Sequence, residues 1–442
     1  MSHGMFGTDG VRGTPGAAPL DSETVTKLGV AIAAEIGGAP RIVCGRDTRE
    51  SGTWIEQHLA AGVRNAGGTV ISVGVMPTPG VSFVTANCAF DAGVVISASH
   101  NPFPDNGIKV LQASGEKISR DFERRVEARV LDAEAVSTMS QDGTVETADL
   151  MDVYKAHLTR IIGHTDLSGV SVAIDCGHGA TSEVAPRVLR QFGITPVTLH
   201  AAPDGRNINQ ASGSTHPEAL QREVVAQHCR IGFAFDGDGD RVILVNRQGG
   251  LVDGDGVLFL AARHLHASGR LAANGIVATV MSNLGLELAL SKTGIALHRC
   301  PVGDWNVRKE MLRRGVCLGG EQSGHIIFSD LLPTGDGLGT ALSVLRMLVE
   351  SGQELDALVN GLTVLPQVLL NVPVTEKREI VAVPALARVI QAAEDQLSDH
   401  GRVLVRYSGT EPVLRIMLEG PEQATVDRWA EEIATCARHL LS

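Results

Sequence analysis

The stretch "FAFDGDGDRVILV" places Asp236, Asp238 and Asp240 in five residues, with two glycines between them and Arg241 immediately after. In extended chain, alternate residues point the same way, so the three carboxylates converge. At a separation of ~4 Å and an effective dielectric of ~20, each like-charged pair costs about 4 kcal/mol, and a hard divalent cation relieves that cost. An EF-hand does not fit, because its sixth position would be Arg241 and its twelfth Arg247. The plainer alternative is a solvated acidic turn between two strands. Three aspartates on an octahedral ion leave positions open, and a phosphate oxygen is a customary occupant.

Three other segments carry reactive side chains. In "ISASHNPFPDNGIKV", Ser97, Ser99, His100 and Lys109 follow the apolar run Gly93–Ile96. Such a strand delivers its serines to the carboxyl end of a sheet, where open α/β sheets bind ligands. The nucleophile elbow G-x-S-x-G is missing, so a Ser-His-Asp acyl-transfer reading has no local support, and a polar turn is the alternative. "LGGEQSGHIIF" offers Glu321 and Ser323 as hydrogen-bonding groups for sugar hydroxyls or an amine, and His325 as a proton shuttle near neutral pH. In "RYSGTEPVLRI", Arg406 and Arg415 flank Ser408, Gly409 and Thr410. Two guanidinium forks with hydroxyls and loop amides suit a phosphate dianion, although an ordinary hairpin with surface arginines has the same pattern. No Walker loop is present.

The elements that must hold these segments are legible in outline. "RIVCGRDTR", "VSVAIDCGHGATS" and "GIVATVMSNLGLELAL" each run from a β-branched stretch through a turn of small or polar residues into helical spacing. Three similarly built α/β domains are expected. The final part differs: "GRVLVRYSGTEPVLRIMLEG" reads as a hairpin, and Val426, Trp429, Ile433, Ala437 and Leu440 form one face of an amphipathic helix. A smaller α+β domain is expected there. Boundaries near "LMDVYK", "GLVDGDG" and "LPQVLLNVPV" divide the chain into residues 1–152, 153–252, 253–365 and 366–442. "MPTPG" reads as a rigid turn, and "DCGHG" as a glycine-rich connection that lacks the four ligands of a zinc site.

Bulk properties narrow the partners. The 442 residues carry 38 Lys and Arg against 50 acids, a formal net charge of -12, with 3% aromatics. That balance is poor for gripping nucleic acid but leaves room for a local cluster that binds a phosphorylated small molecule. Seven scattered cysteines without a C-x-x-C read as reduced thiols rather than a disulfide framework. No apolar run reaches membrane-spanning length, and "MSHGMFGTDG" lacks a basic segment followed by an apolar one. A cytoplasmic protein with no membrane partner is expected.

A serine nucleophile, a hard-metal loop, a polyol loop and a phosphate clamp together describe phosphoryl transfer on a sugar phosphate. The segments "FGTDGVRG", "SASHNP", "DGDGDR", "GEQSGH" and "SGTEP", in this order, resemble the α-D-phosphohexomutase superfamily from residue 6 to beyond residue 415. The resemblance implies three related α/β domains and a smaller C-terminal domain around a central cleft, in a chain able to form homodimers. It implies that Ser99 carries a phosphoryl group, and that Asp236, Asp238, Asp240 and the phosphorylated Ser99 hold Mg²⁺. It places Glu321 and Ser323 on the sugar, and Arg406, Ser408, Gly409, Thr410 and Arg415 on the distal phosphate. Arg12, Lys109, Arg241 and His325 match polar positions of the catalytic centre. The implied reaction interconverts the 6- and 1-phosphates of a hexosamine through a 1,6-bisphosphate, with glucose or mannose phosphates as alternative substrates. After Val302-Gly303-Asp304 the family pattern has Arg where this chain has Trp305, a departure expected to alter the third domain's contacts.

Overall fold

The computed structural model describes residues 4–7, 9–132, 143–408 and 412–441. It contains four sheets and two compact units, Met1–Met281 with Leu297–Asn360, and Ser282–Ala296 with Gly361–Ser442.

The first sheet shows how sequence selects the layers. Arg41–Arg46 lies parallel to both Thr69–Val75 and Ala92–Ile96, and Asn106–Gln112 returns antiparallel to Ala92–Ile96. Alternation then sorts side chains between the faces. Ile42, Cys44, Val94 and Ile96 pack with Val25, Leu28, Ile55, Leu59 and Val126 from the helices Ser22–Ile36, Ser51–Asn65 and Arg120–Asp132. Val43, Val95, Ile71 and Leu111 pack on the other side with Val81 and Val84 of the helix Thr78–Asn87. Strands covered on both faces must be apolar throughout, which is why Ala92–Ile96 reads as an unbroken buried run.

The second and third sheets repeat this arrangement. Val172–Asp175 lies parallel to Val197–Leu199 and to Ile231–Phe235, and Val242–Asn246 returns antiparallel to Ile231–Phe235. In the third, Gly275–Thr279 lies parallel to Leu318–Gly320, and Ile326–Phe328 returns antiparallel. The three segments expected to begin like units supply the corresponding strand of each sheet: Arg41–Arg46, Val172–Asp175 and Gly275–Thr279. The consequence for chemistry is direct. Residues 97–105, 236–241 and 321–325 each link the end of a buried parallel strand to its antiparallel return. These loops carry Ser99, the three aspartates, and Glu321 with His325.

The second unit holds an antiparallel sheet in which Val413–Glu419 lies between Gln367–Pro373 and Arg402–Tyr407. The helices Pro384–Leu397 and Gln423–Leu441 supply its core. The last turn differs from the expected stripe: Leu441 is buried and Leu440 only partly so.

Candidate active site

The loop 97–101 is fixed from below by groups distant in sequence. Ser97 Oγ donates to Asp47 Oδ2 at 2.6 Å, and Ser99 N donates to Ser97 Oγ at 2.9 Å. Arg49, fully buried, donates to the carbonyls of Ser99 at 3.1 Å, Asn101 at 2.7 Å and Asp105 at 2.9 Å. Asn209 Nδ2 donates to Ser99 O at 2.8 Å. The clamp holds Ser99 at φ 53, a left-handed conformation costly for a serine, as occurs at functional turns. Ser99 thereby turns its hydroxyl toward the acidic loop, where Oγ donates to Asp236 Oδ2 at 2.6 Å.

The acidic loop can come this close because of its glycines. A Cβ on Gly237 would stand 2.6 Å from Ser99 O, and Gly239 has φ +72. Asp236, Asp238 and Asp240 are buried, and one ligand oxygen from each lies within 4.8 Å of the others. Asp238 Oδ2 accepts from Thr78 Oγ1 at 2.6 Å and Lys109 Nζ at 2.8 Å. Asp238 Oδ1 and Asp240 Oδ1 are buried with no hydrogen-bond partner among the described residues. Burial, then the neighbouring Asp240 and Asp238, push the Asp236 carboxyl well above its usual range. Orphaned buried oxygens on a hard, all-carboxylate set are the arrangement a divalent cation satisfies, so these residues fit such an ion.

Cations surround the aspartates. Lys109 Nζ lies 3.1 Å from Asp9 Oδ2 and 3.5 Å from Asp240 Oδ2, besides its bond to Asp238. Burial opposes its charge, but Asp238, Asp9 and Asp240 outweigh that and hold the ammonium well above the usual lysine range. Arg12 donates to Asp9 Oδ2 at 2.5 Å and to Ala98 O at 3.1 Å. Arg241 N donates to Asp236 Oδ1 at 3.1 Å, and its guanidinium to His100 Nδ1 at 3.0 Å. A guanidinium can only donate, so that histidine nitrogen is unprotonated. Burial, then Arg241 and Arg12, lower the His100 pKa to about 4, consistent with a neutral ring. The same nitrogen lies 3.3 Å from Ser99 Oγ.

The third loop joins this cluster through backbone. Val242 N donates to Gly324 O at 3.1 Å. His325 Nδ1 lies 3.5 Å from Asp240 Oδ2, and its Nε2 accepts from Gly335 N at 3.1 Å. Both ring nitrogens are therefore engaged, which fixes the tautomer with its proton toward Asp240. Burial disfavours the charged ring, yet Asp240 and then Asp304 and Glu321 raise its pKa. Glu321 is buried with Oε1 accepting from Gly303 N at 3.0 Å, and Ser323 is exposed. Trp305 lies beneath Lys309, whose Nζ is 4.8 Å from the indole centroid.

In the second unit, Arg406 and Arg415 are direct partners across the hairpin. Partial burial, then Arg415, lower the Arg406 pKa. Ser408 is buried, and its carbonyl accepts from Lys377 Nζ at 2.7 Å. Gly409 and Thr410 lie outside the described residues.

Sequence reasoning missed Asp9, Arg49, Thr78, Asn209 and Lys377, and named His100 without giving it a role. "MPTPG", read as a bland turn, supplies Thr78 to Asp238. Adjacency to Ser99 was the available signal for His100. Asp9 stood inside "FGTDGVRG", while Arg49 and Asn209 bore no local mark.

The repeated sheets and the charged loops at their strand ends describe a phosphohexomutase. Comparison agrees: the chain matches the phosphoglucomutase/phosphomannomutase family in its α/β/α domain I over residues 3–137, domain II over 152–250, domain III over 253–364 and C-terminal domain over 369–435, and it belongs to that family. Its likeness to proteins named phosphoglucosamine mutase is extensive, with 46% identity to that of Solibacter usitatus over 99% of each chain. The one from Syntrophotalea carbinolica is 44% identical over 100% of this chain and 98% of its own. Among solved structures, a phosphoglucomutase/phosphomannomutase family protein from Burkholderia thailandensis superposes with a TM-score of 0.80 at 27% identity, covering 98% of this chain and 97% of that one. The chain is thus an isomerase-class phosphotransferase. No helix among the described residues is long and apolar enough to cross a membrane.

Proposed function

We propose that the protein interconverts glucosamine 6-phosphate and glucosamine 1-phosphate, with Ser99 as the phosphoryl carrier and Mg²⁺ as the ion. The observation that carries this reading is the Ser99 hydroxyl, 2.6 Å from Asp236 in a buried three-carboxylate loop. The preference for an amino sugar rests on the 46% and 44% identical relatives and on Glu321, a buried carboxylate suited to an ammonium. The four-domain division at residues 152, 252 and 365 is supported by each sheet falling within one segment.

In the forward reaction the P–O bond of phosphoserine 99 breaks as a bond forms to the free sugar hydroxyl, whose proton passes to the protein. The resulting 1,6-bisphosphate reorients, and its other phosphoryl group returns to Ser99, where the departing sugar oxygen regains a proton. Mg²⁺ held by Asp236, Asp238, Asp240 and the Ser99 phosphate would offset charge on the transferring group. Phosphoserine carries close to -2 at neutral pH, and Lys109, Arg12 and Arg241 share its neutralisation. Lys109, kept as an ammonium, is the proton donor to the oxygen that leaves. His325, tied at both nitrogens, orients Asp240 and serves proton transfer only once Gly335 lets go. Arg406, Ser408, Gly409, Thr410 and Arg415 hold the phosphate that is not reacting, while Glu321 and Ser323 hold the sugar.

Peptide mass mapping of the purified protein, with rates on glucosamine, glucose and mannose 6-phosphates, tests the proposal. Phosphate on the Ser99 peptide and fastest turnover of the amino sugar are expected. Dominant turnover of a neutral hexose would defeat the substrate assignment, and phosphate on Ser97 with an active Ser99→Ala protein would defeat the carrier.

A further inference from the structure

Lys117 lies just beyond the strand Asn106–Gln112, where it bridges back to Leu111. Its ammonium joins two carboxylates from opposite ends of the first unit's sequence. One is Asp9, contacted through Oδ1, and the other is Asp304, whose Oδ2 is 2.5 Å away. The second oxygen of Asp9 faces Lys109 at 3.1 Å and Arg12 at 2.5 Å. Charges therefore alternate along a continuous chain: Asp304, Lys117, Asp9, Lys109, Asp238. Asp304 opens the helix Asp304–Arg314, and the preceding Gly303 N donates to Glu321. One end of the chain thus touches the loop of the expected sugar ligand, and the other touches the acidic loop beside Ser99.

Asp9 cannot keep this orientation alone. Its carboxylate is shared by three cations, and each oxygen is assigned by which cation it meets. Without Lys117, Oδ1 loses its partner, and the group is free to rotate toward Arg12 or Lys109. Lys109 then exchanges a fixed carboxylate for a mobile one. Burial works against the charges on Asp9 and Lys117, yet their mutual attraction and their other partners keep Asp9 ionised and Lys117 protonated.

We infer that Lys117 is a positioning residue for phosphoryl transfer: it locks Asp9 so that Lys109 and Arg12 are aimed at the Ser99 loop, and through Asp304 it ties that aim to the Glu321 loop. The inference rests on the mutase reading above. A neighbouring contact separates it from simple docking. Glu116 and Arg308 pair at 2.8 Å between the same two elements, but neither touches Asp9. If Lys117 only fastened these elements together, losing either pair would have the same effect.

The experiment measures kcat, KM and thermal midpoint for the Mg²⁺-loaded wild type, Lys117→Met, Lys117→Arg, Asp304→Asn and Arg308→Met. A cavity of about 250 Å³ borders Lys117 and Asp304, so methionine is accommodated without overpacking. Lys117→Met is expected to lower kcat about 10- to 100-fold with KM changed less than about threefold, the signature of misplaced reacting groups rather than lost binding. Lys117→Arg restores at least about half of the lost activation free energy, and Arg308→Met stays within about twofold of wild type in kcat. Asp304→Asn, which removes one anchor and leaves the other, lowers kcat by about three- to tenfold and provides the same comparison should Lys117→Met fail to fold. The inference is overturned if Lys117→Met retains full kcat, if Lys117→Met and Arg308→Met fall equally, or if the loss lies in KM alone. With Lys117→Met unfolded, an Asp304→Asn enzyme at full kcat overturns it as well. A wild type that isomerises no hexose phosphate would instead defeat the underlying mutase reading.

Discussion

The two places where this chain gathers charge are built on opposite plans. Around Ser99, acids and bases alternate: buried Lys109 with buried Asp238 and half-buried Asp9, half-buried Arg12 with Asp9, and buried His325 with buried Asp240. At the C-terminal hairpin, Arg406 and Arg415 occupy directly opposed positions on neighbouring strands, half-buried and of like sign. Like charges directly opposite one another destabilise a sheet. Under the proposed function, the first arrangement pre-sets the reacting groups, and among the described residues it leaves one oxygen of Asp238 and one of Asp240 without a hydrogen-bond partner, ready for a cation that Asp236 also meets. The second, under the same proposal, presents two guanidinium groups side by side to an arriving phosphate. On that reading, chemistry belongs where the scaffold over-determines geometry, and capture where the ligand completes it.

The largest effect expected is at Ser99. Replacing it with Ala should lower turnover by at least about a thousandfold, measured in a coupled assay with the folded state checked by circular dichroism. Ser99→Gly should be equally inactive yet more stable than Ser99→Ala by about 1 kcal/mol, because φ 53 suits glycine. Equal stability of the two variants would show that the clamp by Arg49 and Asn209 imposes no strain.

Next in size is the response to the ion. In metal-free protein, Asp236→Asn should raise the thermal midpoint, since it removes a buried carboxylate that Asp240 and Asp238 disfavour. Mg²⁺ at a hundredfold excess over its dissociation constant should stabilise the wild type by about 2.7 kcal/mol, and should stabilise the variant much less. A variant less stable than wild type without metal would mean that the aspartates are compensated by their cations alone.

How far this organisation could be read from sequence depends on the distance between partners. The three like-built segments, the alternating aspartates and the C-terminal hairpin are local patterns, and local patterns survive in one dimension. The final helix was legible for the same reason, apart from its last turn, where Leu441 is buried and Leu440 only partly so. The clamp on the Ser99 loop was not legible. Arg49 reaches Ser99 across 50 residues, Asn209 across 110, and Thr78 reaches Asp238 across 160. Nothing in their immediate surroundings marks them, because their role exists only once loops of the first and second sheets come together. Asp9 and Lys117, 108 residues apart, are the same case.

At the hairpin, Arg406→Met should raise KM about 10- to 100-fold, the worth of one or two charge-assisted hydrogen bonds to phosphate, with a smaller change in kcat. The free protein should not lose stability, because the substitution removes a like-charge opposition. A drop in kcat as large as the rise in KM would place Arg406 in the transfer step and erase the distinction between the two regions.

The smallest effect concerns a buried carboxylate that needs no ion. Asp336 caps the helix Gly337–Ser351, and its Oδ1 accepts from Gly339 N at 2.7 Å and Tyr154 Oη at 2.9 Å. Its Oδ2 is buried without a hydrogen-bond partner among the described residues. Burial pushes its pKa up to about 6, against hydrogen bonds that pull the other way. Because the folded value lies above the unfolded one of 3.8, the stability it contributes is fully present below about pH 4 and is lost as pH rises through about 6. The whole span is worth about 3 kcal/mol, and roughly half of it falls between pH 5 and pH 8. Asp336→Asn keeps the acceptor oxygen but cannot ionise, so its unfolding free energy, measured in denaturant at both pH values, should decline by about 1 kcal/mol less than that of wild type. An identical decline in both proteins would mean that Asp336 is ionised in the fold over this pH range, as it is in the unfolded chain.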